Sequence, residues 1–173
     1  MIIKTSIAVV AMLALVEPIS GQIIASCELV RNPAHNNQYY PEEIDGYFGF
    51  NQSDAAANVE IDGDVGEARV GPHCLAIAEN NWDGLDCATA GGHWNPAGET
   101  HGDMNAYPSH AGDLDFVWFL GENETIYSVT AEKFTMYGAE SVLGKALVMY
   151  PGEGILGRDE ENNTPKTNIF CYQ

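Results

Sequence analysis

Apolar and polar positions alternate along this chain in short runs, with no stretch of sustained helical period. Runs rich in β-branched and aromatic residues fall at 47–51, 59–61, 116–120, 126–129, 134–137 and 145–150, and each reads as a strand. Asp62-Gly63 and Gly121-Glu122-Asn123 read as hairpin turns between them. Many short strands joined by Gly-rich turns predict an all-β fold, an antiparallel β-sandwich or barrel. One stretch breaks the pattern. Residues 80–115 are rich in Gly, Asn, Asp and Pro and carry little strand signal. A loop that long in a compact domain is usually functional and needs something to hold it.

The N-terminus has a different pattern. Lys4 precedes an unbroken apolar run over 7–16, and Pro18 and small residues follow. This reads as a secretory signal peptide over 1–21, cleaved between Ser20 and Ala25, before Gln22. The run is short of the roughly 20 residues that a membrane span needs, so the expectation is a secreted, extracellular protein without a membrane segment. Residues 22–173 then form one domain, long enough for its own core.

Charge narrows the choice of partners. The chain holds 7 Lys+Arg against 25 Asp+Glu, a net −18. Lys4 and Glu17 cancel within the signal, so the remainder keeps that charge. Nucleic acid and anionic membranes are excluded as partners, and divalent metal ions are favoured. Glu42-Glu43, Asp62 with Asp64, and Asp159-Glu160-Glu161 offer oxygen ligands suited to weak calcium contacts. None has the spacing of an EF-hand. Screening by such cations would ease self-association into homo-oligomers. Four cysteines, Cys27, Cys74, Cys87 and Cys171, suggest two disulfides with three possible connectivities. Sequons at Asn51, Asn123 and Asn162 are candidate glycosylation sites, the last followed by Thr164-Pro165.

Three of the five histidines lie in the long loop: His93, His101 and His110, with Asp113 three residues further on. Three imidazoles and a carboxylate make a complete tetrahedral set for zinc. Four protein ligands leave no open position, so the expected site is structural and would order the loop.

The run CATAGGHWNPAGETHGDMNAYPSHAGDLD, 87–115, resembles the zinc loop of Cu/Zn superoxide dismutases. A Cys stands six residues before the His of AGGHWNP; the next His follows after eight residues, a third after nine, and an Asp after three. VLGKALVMY at 142–150 is similar to a late strand of that family. The resemblance implies a Greek-key β-sandwich or flattened barrel with long zinc and C-terminal loops, and zinc held by His93, His101, His110 and Asp113. It also implies a Cys87–Cys171 bridge, which leaves Cys27 to pair with Cys74.

The resemblance also shows departures. Its copper ligands fall on Ala76, Ala78 and Tyr150, which implies no copper there. Its strand Arg is Lys145, its anion-guiding Arg falls on Asn168, and its acidic link between the metals falls near Gly154. The narrower likeness is to copper-less haemolymph proteins of bivalves, such as cavortin or dominin and pernin. The expectation is therefore a non-enzymatic, secreted zinc-binding protein, a carrier or store of divalent metal that has lost dismutase activity. The alternatives are an active superoxide dismutase with a relocated copper site, to which His35 or His73 could contribute, and a partner-binding decoy.

Overall fold

The structure, a computed structural model, describes residues 21–33, 45–66, 70–119, 125–151 and 170–172. Eight strands form one antiparallel sheet: β1 (Ile23–Arg31), β2 (Asp45–Gln52), β3 (Val59–Gly66), β4 (Gly71–Ile77), β5 (Asp113–Phe119), β6 (Thr125–Ala131), β7 (Leu147–Pro151) and β8 (Phe170–Tyr172). The order is β5-β4-β7-β8-β1-β2-β3-β6. The end strands β5 and β6 come into contact, which rolls the sheet into a flattened barrel. β3 lies beside β6 and β4 beside β7, so the chain crosses over twice, in Greek-key fashion. The expected all-β class is the fold observed.

Period-two alternation builds the barrel. In β3, Val59, Ile61, Gly63 and Val65 point inward while Glu60, Asp62 and Asp64 point out. The inward set joins Phe48, Leu75, Leu114, Phe119 and Met149 in one core. β3 shows why Asp62-Gly63 is not the expected turn. Gly63 pairs with Phe48 on one side and Tyr127 on the other. The Phe48 and Tyr127 rings meet edge to face at 5.8 Å. A Cβ on Gly63 would strike the Phe48 ring, so the glycine makes room for an aromatic neighbour and the strand runs on to Gly66.

The run 134–137 is likewise not a strand; among the described residues it shares only the Thr135–Ser141 bridge. Its polar groups are taken by the buried Gln52 side chain. Gln52 Oε1 accepts from Met136 N at 2.7 Å and Thr135 Oγ1 at 3.1 Å, and its Nε2 donates to Ala57 O at 2.7 Å. The expected turn at 121–123 lies outside the described residues.

The cysteines require a second correction. Cys27 on β1 and Cys74 on β4 are free thiols, not a bridge. β7 and β8 lie between their strands, about 14 Å along the sheet at the usual strand spacing. A disulfide tolerates about 7 Å between Cα atoms. Burial pushes both thiols up to about 12, with Asp113 and Asp115 adding to the effect at Cys74 and a backbone bond from Phe48 opposing it at Cys27. Cys87 is disulfide-bonded, and Cys171 sits on β8 beside Val30 and Val148.

Asn51 sits within β2, where its Oδ1 accepts from Gln22 at 2.7 Å and its Nδ2 donates to Glu60 at 3.1 Å. Its sequon therefore lies on a paired strand and not on a loop. Asn123 and Asn162 lie outside the described residues. No described helix is long and apolar enough to cross a membrane.

Two outcomes follow from this packing. Gly63→Ala should lower stability by about 1–3 kcal/mol through overpacking against Phe48, read as a lower urea midpoint. Gly49→Ala, whose Cβ would meet only Asp62 O at 3.8 Å, should cost far less. Protonated, half-buried thiols react slowly. An alkylating reagent at neutral pH should therefore leave Cys27 and Cys74 unmodified in the native protein and label both after unfolding without reductant.

Candidate metal centre

The long connection between β4 and β5 is stitched to the end of β4. Trp94 N donates to Ile77 O at 2.8 Å, and Ile77 N donates to Gly112 O at 2.9 Å. Glu79 N reaches Gly92 O and Asn80 N reaches Ala90 O, each at 2.9 Å. These bonds bring His93, paired with Ala78 in an isolated bridge, beside Asp113, the first residue of β5. A short 3-10 turn, Cys87–Ala90, opens the loop, and the Asp86 side chain caps it by accepting from Ala88 N.

Side chains replace the missing sheet in the rest of the loop. Asn95 closes a turn by bonding Glu99 through both its amide atoms, at 2.7 and 3.0 Å. Asn105, in the left-handed region at φ 59°, takes the place of a strand neighbour for β6. Its Nδ2 donates to Thr130 O at 2.8 Å and its Oδ1 accepts from Glu132 N at 2.9 Å. Lys133 reaches across to Ser109 Oγ at 2.6 Å. The loop is thus tied to β4, β5 and β6 before any ion is considered.

The four residues expected from spacing converge. Asp113 is 4% exposed. Its Oδ1 lies 2.6 Å from His93 Nδ1, 3.0 Å from His101 Nδ1 and 3.2 Å from His110 Nδ1. Its Oδ2 accepts from His110 N at 2.8 Å and Gly102 N at 3.1 Å. Gly102 permits that approach: a Cβ there would collide with Pro108 O. Burial alone raises the Asp113 carboxyl, but bonds from His101, His93 and Gly102 outweigh it and hold the group well below the usual carboxylate range. For His110 burial lowers the pKa first; Asp113 opposes this, and the other two imidazoles add to it. Neutral His110 is the ligating form.

His110 Nδ1 is near the carboxylate yet is buried with no hydrogen bond of acceptable geometry. An orphaned nitrogen beside a shared carboxylate oxygen is what a bound cation would satisfy. One ligand atom from each of the four residues falls within a 4.8 Å group. Nitrogen and oxygen donors in this number suit zinc, and imidazole also suits copper.

The copper positions implied by the resemblance do not fit an ion. Ala76 and Ala78 are buried and offer methyl groups. Tyr150 is held protonated, by burial first and then by Cys74. Ala78 belongs to a small apolar cluster with Cys87, Ala90, Ala146 and Val148, against which Trp82 and Tyr150 pack. His73 is a core residue: it is 1% exposed, its Nδ1 lies 3.2 Å from Gly71 O, and it meets Phe119 edge-on. His35, Gly154 and Asn168 lie outside the described residues. Sequence reasoning treated Tyr150 only as a lost ligand; its ring lies 5.9 Å from that of His93.

Removing the metal with a chelator should lower the melting temperature, because binding energy of this kind is folding energy. The drop should shrink as pH falls below the ordinary imidazole range, because burial holds His110 neutral down to lower pH and only then do protons displace the metal. Asp113→Asn should abolish most of the chelator-sensitive stability, as read by thermal unfolding with and without added zinc.

A family model described as copper/zinc superoxide dismutase (SODC) matches residues 44–170. Superoxide dismutase (Cu-Zn) 5 of Dictyostelium discoideum is 29% identical over 124 residues, covering 72% of this chain and 82% of its own. The Cu-Zn superoxide dismutase of Drosophila tolteca is 33% identical over 103 residues, covering 58% of this chain and 89% of its own. An extracellular Cu-Zn superoxide dismutase of Caenorhabditis elegans is 29% identical over 127 residues, covering 73% of this chain and 57% of its own. These relatives support the family, not the narrower likeness to bivalve haemolymph proteins. They also overturn the expectation of a non-enzymatic protein with lost activity, since they are named as dismutases and one is extracellular. The missing donors at Ala76, Ala78 and Tyr150 bear on one metal position and do not establish loss of activity. On the model match and these relatives, the chain belongs to the copper/zinc superoxide dismutase family.

Proposed function

We propose that the protein is a superoxide dismutase whose redox-active ion occupies the His93, His101, His110 and Asp113 centre. The observation that carries this reading is the convergence of three imidazole nitrogens on one buried carboxylate, in a chain of this family. Among the described residues it is the group of side chains suited to holding a metal. His93, His101, His110 and Asp113 would hold a redox ion, for which copper outranks zinc in affinity, and it would supply the alternate gain and loss of one electron that dismutation needs. Zinc alone has a filled d shell and cannot.

The chain's own residues supply the rest. Asp113 stays ionised and offsets the ion's charge. The two backbone N–H groups on its Oδ2 keep the other oxygen aimed at the imidazoles. The His93, His101 and His110 side chains are 19%, 12% and 16% exposed, so the imidazoles reach the surface while the carboxylate, 2% exposed, does not.

The same proposal includes export from the cell, supported by the apolar run at 7–16 and by one relative's extracellular name. It includes weak contacts with divalent cations, supported by Asp62 and Asp64 along the outer side of β3; Glu42-Glu43 and Asp159-Glu160-Glu161 lie outside the described residues. Assembly into homo-oligomers would follow from neutralising that charge.

The test is superoxide decay followed by pulse radiolysis with metal-free, zinc-loaded and copper-loaded protein. Copper-loaded protein should accelerate decay and zinc-loaded protein should not. The net −18 repels an anionic substrate, so the rate should rise as salt shortens the screening length from about 30 Å at 0.01 M to about 8 Å at 0.15 M. Decay no faster with copper-loaded than with metal-free protein would sink the reading.

A further inference from the structure

We infer that Tyr150 is a positioning residue for the metal centre: its ring fixes the His93 imidazole and seals that flank against water. The inference rests on the reading that His93, His101, His110 and Asp113 hold an ion. The backbone of His93 is set by its bridge to Ala78, whose N–H donates to Ala146 O at 2.8 Å. That fixes the Cα and leaves the ring free to turn about its side-chain bonds. One constraint on the turn is Asp113 Oδ1, 2.6 Å from His93 Nδ1. A contact at one nitrogen still permits the ring to swing about that atom.

Tyr150 supplies a second constraint. Its ring centroid lies 5.9 Å from that of His93, with the planes tilted by 41°, within the range at which aromatic rings attract. Tyr150 is itself held. It stands on β7 opposite Cys74 of β4, and with Trp82 it packs on the cluster of Ala78, Cys87, Ala90, Ala146 and Val148. The small residues and the two aromatic rings packed on them leave a flank beside His93 that is apolar apart from the buried Trp82 indole nitrogen. A dry flank strengthens the attraction between the ion and its ligands. Residues that orient ligating imidazoles typically change metal affinity by about 10–100-fold when removed. Tyr150 would do so by packing and not by a hydrogen bond, so the ring matters and the hydroxyl does not.

The test uses cobalt(II), whose visible absorption reports the geometry of its ligands, and needs no turnover. Cobalt would be titrated into the wild type, Tyr150→Phe, Tyr150→Leu, Tyr150→Ala and Tyr107→Ala. Tyr107 is an 82% exposed tyrosine of the loop that carries the histidines and serves as the control. Tyr150→Phe and Tyr107→Ala should bind like the wild type, within about twofold. Tyr150→Ala should bind about 10–100-fold more weakly with altered visible bands. Tyr150→Leu, which keeps apolar bulk, covers the case in which the alanine variant fails to fold; with a native far-ultraviolet spectrum it should show the same altered bands. Wild-type affinity and bands in Tyr150→Leu and any folded Tyr150→Ala would overturn the inference. So would a Tyr150→Phe variant as weak as the alanine variant, which would move the effect to the hydroxyl. A wild-type chain that takes up no cobalt or zinc would overturn the metal centre itself and this inference with it.

Discussion

Asp113 holds the centre together through both of its oxygens. One oxygen is clamped by two loop N–H groups, and the other sits among three imidazole nitrogens. A carboxylate that is 2% exposed is costly unless its charge is matched. The chain meets that cost with hydrogen bonds brought in from Gly102 and His110, residues separated by a turn containing Pro108. Because Asp113 is also the first residue of β5, the clamp fixes where that strand begins. The loop and the sheet therefore share a single anchor, and displacing the carboxylate would disturb both.

The barrel in turn decides which residues can meet at that anchor. β4 and β5 pair antiparallel with a register shift between Cys74 and Ala76, just before the strand ends. Beyond that shift, Ile77 stops pairing along β5 and bonds to Gly112 and Trp94 instead. The irregularity lets two distant parts of the loop dock on the same strand end, placing His93 Nδ1 2.6 Å from Asp113 Oδ1 despite a separation of 20 positions. Bulges often re-aim side chains in this way next to functional sites.

Much of this was legible in the sequence, and the limits have physical causes. The alternation of β3 announces its inward and outward sides, and the spacing of His93, His101, His110 and Asp113 announces the ligand set through resemblance. Asp62-Gly63 misled because a glycine between two aromatic neighbours looks, in one dimension, like a glycine in a turn. The run at 134–137 misled because the partner that replaces its sheet bonds, Gln52, lies over 80 positions away. The free thiols of Cys27 and Cys74 were hidden because pairing depends on strand order, which local pattern does not fix. An even number of cysteines permits two bridges but does not place them.

Tyr150 shows a different limit. Matching by position shows only that an imidazole is missing there, whereas the packing shows what Tyr150 does instead. Ala78, Ala90, Ala146 and Val148 are small enough to form a floor, and Trp82 and Tyr150 are large enough to cover it. Here these residues form one packed group, apolar except for the Trp82 indole nitrogen, which is buried without a hydrogen-bond partner. The constraint passes back to His93: an imidazole with a carboxylate on one edge and an apolar cover nearby has less freedom to serve a second ion. Its remaining chemistry is directed toward Asp113 and the two histidines that share that oxygen.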